Sequence, residues 1–183
     1  MRIGRLLIIG LLASTVLVAS SVLAKVSVGD KVEEITLEKR GGGTLRIPGD
    51  LQDKVVLLSF WASWCPECKI ELPELGKLSE KFKGKPVVLL AVNADRKRKA
   101  ADDFLEKHPT DLTVLYDTDQ NMIRAFGPIG IPASYLIGPD GKVEKHYLGF
   151  SEDSVEEYRK DIEALLRNIP AENLSAQAQS ESR

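Results

Sequence analysis

Two side chains in this chain can do covalent chemistry with each other. They are Cys65 and Cys68, the only cysteines in 183 residues, separated by Pro66 and Glu67. A bridge between them would close too short a loop to constrain the unfolded chain much. Exported domains held together by disulfides usually carry several well-separated cysteines, so the purpose of this pair is chemical rather than structural. A close thiol pair suits reversible oxidation or the binding of a soft metal. Tetrahedral zinc takes about four ligands, thiolates also suit Cu(I), and His108 and His146 are the remaining soft donors. On the pair alone, redox and metal readings both stay open.

The segments on either side favour reactivity at Cys65. Lys54 to Trp61 is a nearly continuous apolar run of strand length, the pattern of a strand buried on both faces. Beyond the pair, Cys68, Leu72, Leu75, Leu78 and Phe82 recur at helical spacing, predicting a helix from about Pro66 to Lys83. Cys65 therefore falls where a strand gives way to a helix, and unpaired amides and the helix dipole favour an anion there. The thiolate is the reactive form of cysteine. Cys68, one turn further in, can reach the same sulfur. Pro66 fits a first helical turn, where its missing N–H would have had no partner. Glu67 favours the helix start but opposes a neighbouring thiolate, so the sign of its effect stays open.

Glu71 follows Cys68 by three residues and shares the inward face of Leu72 and Leu75. A carboxylate buried there would be poorly solvated and its pKa would rise towards neutrality, making Glu71 a candidate proton acceptor for Cys68. A Glu at the edge of that face would instead extend its carboxylate to solvent.

The rest of the chain supplies a scaffold. Glu34 to Glu38 and Thr44 to Ile47 alternate in polarity around Arg40-Gly41-Gly42-Gly43, predicting a hairpin. Val87 to Val92 is a second buried strand, followed by a polar helix from about Lys97 to Lys107 that Pro109 closes. This strand-helix-strand order implies a parallel pair with a right-handed crossover. Leu112 to Tyr116 reads as a strand and Asn121 to Phe126 as a short helix. Ser134 to Ile137 and Lys142 to Tyr147 form an antiparallel hairpin across the turn Gly138-Pro139-Asp140-Gly141. Ser154 and Glu157 suggest a capping box for a last helix with an apolar stripe of Val155, Tyr158, Ile162, Leu165 and Leu166. The expected architecture is α/β: a three-layer sandwich with a central mixed sheet flanked by helices, an N-terminal β-hairpin and a central strand-helix insertion.

The first 24 residues differ from the remainder. Arg2 and Arg5 precede a mostly apolar, acid-free run from Leu6 to Ala24 that ends in Val22-Leu23-Ala24. This pattern fits an export signal cleaved after Ala24, and the run is also about long enough to remain as an N-terminal membrane anchor. Either outcome places the domain outside the cytoplasm, in the periplasm or on the outer face of the membrane. Residues 25–170 are then one domain and residues 171–183 a polar tail expected to be disordered. The formal charge of −2, from 27 acidic and 25 basic side chains, lacks the basic excess that nucleic-acid binding requires.

The segment Phe60-Trp61-Ala62-Ser63-Trp64-Cys65-Pro66-Glu67-Cys68-Lys69 resembles the active-site segment of thioredoxins, and more narrowly that of the exported TlpA/ResA/CcmG group. The resemblance runs from about Val26 to Asn168. Gly130-Ile131-Pro132-Ala133 and the Gly-Pro-Asp-Gly turn match as well. It implies a thiol-disulfide oxidoreductase that uses no cofactor, with Cys65 attacking a substrate disulfide and Cys68 releasing the product. In this group the proline matching Pro132 is cis and packs against the dithiol, and the backbone matching Ile131 pairs with the bound substrate. Trp64, Pro66, Ile131 and Pro132 are thus the expected substrate-contacting residues. Plain thioredoxins carry an acid where this chain has Ser59, whereas the ResA-like pattern carries a Glu at the Glu71 position. The group implies protein disulfide substrates such as apocytochrome c, a membrane thiol carrier as electron donor, and a monomer. Two alternatives share the fold. Peroxiredoxins place Thr or Ser three residues before the reactive Cys, where this chain has Ala62, and copper-delivery proteins space their cysteines by three residues and add a distal His.

Overall fold

A computed structural model of the chain describes residues 25–169. The expected signal or anchor over residues 1–24 and the expected tail over residues 171–183 lie outside the described residues. Seven strands form one mixed sheet: β1 (Ile35–Lys39), β2 (Thr44–Ile47), β3 (Val55–Trp61), β4 (Val87–Asn93), β5 (Thr113–Tyr116), β6 (Ala133–Ile137) and β7 (Val143–Leu148). Their spatial order is β2-β1-β5-β4-β3-β6-β7. β3, β4 and β5 run parallel, whereas β6 pairs antiparallel with β3 and β7. The N-terminal hairpin extends the same sheet, since β1 pairs antiparallel with β5 through Glu38 with Tyr116 and Lys39 with Leu115.

Among the described residues four α-helices cover the sheet: α1 (Cys68–Lys81), α2 (Arg98–Lys107), α3 (Asn121–Phe126) and α4 (Ser154–Arg167). Alternation along β3 divides the core. Val55, Leu57 and Trp61 face α1, α2 and α4, packing with Leu72, Phe104, Tyr158 and Ile162. Val56, Leu58 and Phe60 face the other way, packing with Met122, Phe126 and Tyr135. Every residue of β3 and β6 is buried, as a central strand covered on both faces requires. Gly141 closes the β6-β7 turn at φ +78°, a left-handed conformation that glycine adopts without strain.

Two local expectations need correction. α1 begins at Cys68 and ends at Lys81, because Pro66 and Glu67 form a lead-in turn and Phe82 already leaves helical geometry. The capping box of Ser154 and Glu157 does not form. Asp153, already helical in φ and ψ, precedes the first residue of α4, and the Ser154 hydroxyl instead accepts the Ser151 N–H at 2.9 Å. Ile131–Pro132 is cis, as the resemblance implied, and Ile47–Pro48 is a second cis bond that the sequence did not signal.

Candidate active site

β3 ends at Trp61, and the chain then turns into the cysteine loop. Four hydrogen bonds hold that turn. The Trp61 carbonyl accepts the Ala94 N–H at 2.8 Å and the Ala62 carbonyl accepts the Cys65 N–H at 3.1 Å. Asp95, 6% exposed, accepts the Ser63 N–H at 2.8 Å and the Ser63 hydroxyl at 3.0 Å. Asn93 donates its side-chain amide to the same carboxylate at 2.8 Å. Asn93 and Asp95 had no place in the sequence reading. The available signal was positional, because Asn93-Ala94-Asp95 leaves the C-terminal end of a buried parallel strand, where sites of open α/β sheets lie.

Cys65 and Cys68 are joined as a disulfide with their Cα atoms 5.4 Å apart, and both are fully buried. The Cys68 N–H, at the start of α1, donates to the Cys65 sulfur at 3.1 Å. A helix-terminal amide thus faces that sulfur and would stabilise charge on it. Trp64 stands out at 66% exposure beside exposed Pro66 and Glu67. The Trp61 ring lies buried beneath, 5.1 Å from the Phe104 ring of α2. Pro132 is buried just ahead of β6, and Ile131, half-exposed, packs against the cluster that contains both cysteines.

Glu71 is fully buried, inward on α1 with Cys68, Leu72 and Leu75; it does not extend to solvent. Below it lie Ser59 and Ser134, register partners across β3 and β6. The Ser134 hydroxyl donates to Glu71 Oε1 at 3.2 Å, whereas Oε2 has no protein partner. Burial lifts the Glu71 pKa to about 7, and the Ser59 and Ser134 hydroxyls temper the rise. Ser59 acts by proximity, since its hydroxyl completes no hydrogen bond to protein. Tyr158 of α4 adds another buried hydroxyl without a protein partner, and the sequence had placed it only in an apolar stripe.

The imidazoles are engaged elsewhere. His108 lies against the Phe104 ring at 4.8 Å, and His146 stacks on Tyr135 at 4.3 Å. Among the described residues no group of three or more His, Cys, Asp or Glu side chains is arranged to hold a metal ion.

A mixed sheet with a buried cysteine pair at a strand-to-helix junction and a cis-proline just ahead of the strand paired with β3 defines a dithiol protein of the thioredoxin fold. Comparison with known proteins narrows that class. Residues 28–146 match the model of the AhpC/TSA family. The thiol-disulfide oxidoreductase ResA of Bacillus subtilis (strain 168) is 32% identical over 130 residues, covering 71% of this chain and 72% of the relative. Among solved structures, a Chlorobium tepidum protein assigned as thiol:disulfide interchange protein DsbE aligns with a TM-score of 0.73 at 34% identity. That alignment covers 78% of this chain and 99% of the other. MTB dsbF, solved in mixed oxidised and reduced forms, aligns with a TM-score of 0.63 at 27% identity, over 72% of this chain and 94% of its own. The chain therefore belongs to the AhpC/TSA family and, within it, to the ResA-like thiol-disulfide oxidoreductases.

Proposed function

We propose that this protein is an extracytoplasmic protein-disulfide reductase in which Cys65 attacks the substrate disulfide, Cys68 releases the product, and Glu71 accepts the Cys68 proton. The observation that carries this reading is Glu71 itself, fully buried one helical turn after Cys68 with a pKa lifted to about 7. A proton acceptor works best when its pKa lies near the operating pH. In the reaction the Cys65 thiolate forms a mixed disulfide and expels one substrate thiolate. Cys68 then loses its proton to Glu71, attacks the Cys65 sulfur and expels the second. The substrate disulfide gains two electrons and the enzyme pair is oxidised by the same number.

Exposed Trp64 and Pro66, with Ile131 and buried Pro132, are the surface on which the substrate chain docks. Envelope proteins such as apocytochrome c are the proposed substrates, a membrane thiol carrier is the proposed electron donor, and the protein works as a monomer. The basic residues and apolar run of residues 1–24 support the extracytoplasmic setting. A Cys68→Ala variant lacks the releasing thiol and should accumulate mixed disulfides with its substrates through Cys65. Recovery of cysteine-bearing envelope proteins on non-reducing gels is the expected result. Absence of any trapped protein, in cells where the variant is abundant, would count against the reading.

A further inference from the structure

Glu71 as acceptor raises a physical question: where its proton goes. Both cysteines and Glu71 are fully buried, and β3 and β6 present Glu71 with neutral hydroxyls, Ser59 and Ser134, rather than charged groups. On the outer side, the surface around Trp64 and Ile131 is the one a docked substrate covers. A different line of polar groups leads away from the carboxyl. We propose that Ser134, Tyr158, Ser154 and Ser151 form a hydroxyl relay that carries the proton from Glu71 to solvent at the N-terminus of α4.

The relay begins at the hydrogen bond from the Ser134 hydroxyl to Glu71 Oε1, 3.2 Å long. Tyr158, 1% exposed, comes next. Its hydroxyl completes no hydrogen bond in the resting geometry, and Tyr158 follows Ser154 by four residues on α4, which sets the two side chains on one helix face; burial, and then Glu71, raises its proton affinity. The Tyr147 ring meets the Tyr158 ring edge-on at 4.7 Å, and Tyr147 is the β7 register partner of Ser134. That contact seats the Tyr158 ring against the β7 neighbour of Ser134. Beyond Tyr158, the Ser154 and Ser151 hydroxyls are 3.2 Å apart. Ser151 is exposed and lines an open depression shared with Glu74 and Glu152.

Hydroxyls suit this task because each both donates and accepts. A proton arriving at one oxygen displaces that oxygen's own hydrogen to the next. The charged and titratable groups around the line are few. Tyr158 feels Glu71 from α1 and Glu157 from its own helix, and Tyr147 donates its hydroxyl to Asp161 at 2.8 Å. The cation joined to this group, Lys145, pairs with the same Asp161 carboxylate at 2.7 Å, which offsets its charge.

The relay rests on the acceptor role of Glu71 and completes its balance. When Cys68 attacks, its S–H bond breaks and Glu71 gains the proton. The new S–S bond joins Cys68 to Cys65, and the Cys65–substrate bond breaks. The departing substrate thiolate takes a proton from water, and Glu71 returns its own through the hydroxyls.

The test is a single-turnover reaction of the reduced protein with a peptide disulfide, in mixtures of light and heavy water. Trp61 and Trp64 fluorescence reports the Cys68-dependent release. Several protons moving together bend the plot of rate against deuterium fraction, whereas one proton leaves it straight. The native protein should give a bent plot. Tyr158→Phe and Ser154→Ala should straighten it and slow release about tenfold, short of the ~100-fold or more expected for loss of the acceptor itself. Ser154→Ala, at a half-exposed helix start, keeps the question answerable should Tyr158→Phe not fold. A straight plot for the native protein, or a bent plot in both variants, overturns the relay while leaving the acceptor role intact. An unchanged pH profile of release in Glu71→Gln instead overturns the acceptor role, and the relay with it.

Discussion

Ser59 on β3 and Ser134 on β6 are direct register partners, and together they set two buried hydroxyls under Glu71 on a sheet face otherwise built from Val55, Leu57, Trp61 and Leu136. That pairing gives the carboxyl a polar floor without giving it a counter-charge. Its proton affinity follows from that balance.

Ser134 donates to Glu71 and so favours the charged form. Ser134→Ala should therefore move the Glu71 midpoint upward from about 7. Carbon NMR titration of the labelled carboxyl reads this directly, and a midpoint that falls or stays fixed contradicts it.

The same carboxyl makes stability depend on pH with a definite sign. Its pKa is about 7 folded, against 4.5 as the ordinary value, so between those limits the folded state holds the extra proton. Stability should fall as pH rises through that window, by on the order of 3 kcal/mol for the oxidised protein. Urea unfolding of the native protein and Glu71→Gln at about pH 5 and about pH 8 checks it. The variant should show a much smaller difference between the two.

Asp95 holds the loop that presents Cys65, accepting from the Ser63 N–H, the Ser63 hydroxyl and the Asn93 amide. Asp95→Ala leaves those donors without their acceptor in a nearly closed setting, at a cost of about 3 kcal/mol. Asp95→Asn should recover part of this through its amide oxygen. Thermal melting orders the three proteins, and equal melting points would rule the anchor out.

Phe104, 6% exposed, packs against Trp61 beneath the loop. Phe104→Ala should cost about 3 to 5 kcal/mol. It should also shift Trp61 emission to the red as water reaches the indole, while Trp64 emission stays as it was.

Much of this arrangement could be read from the residues in order. The β3 run, the Cys pair and the periodic face of α1 are local patterns, so the spacing of Glu71 to Leu72 and Leu75 favoured burial while leaving an edge position open. What escaped was whatever depends on elements distant in the chain. Asp95 reaches Ser63 across a separation of 32 residues, and Ser134 reaches Glu71 across 63. No periodicity encodes such meetings. Tyr158 illustrates the same limit, because its position in an apolar stripe correctly predicted burial but not a buried hydroxyl without a protein partner. The capping box failed for a local reason: Asp153 is already helical, so the Ser154 oxygen is spent on Ser151.

The N-terminal hairpin has a consequence for life among other chains. Without β1, the sheet would present β5, the neighbour of β4, as a raw margin with unsatisfied peptide groups. Such margins recruit loose strands from neighbouring proteins. By seating β1 there, the hairpin moves the margin outward to β2, four residues long and partly exposed. A short, partly exposed outer strand offers little free backbone on that side for pairing with a neighbouring chain.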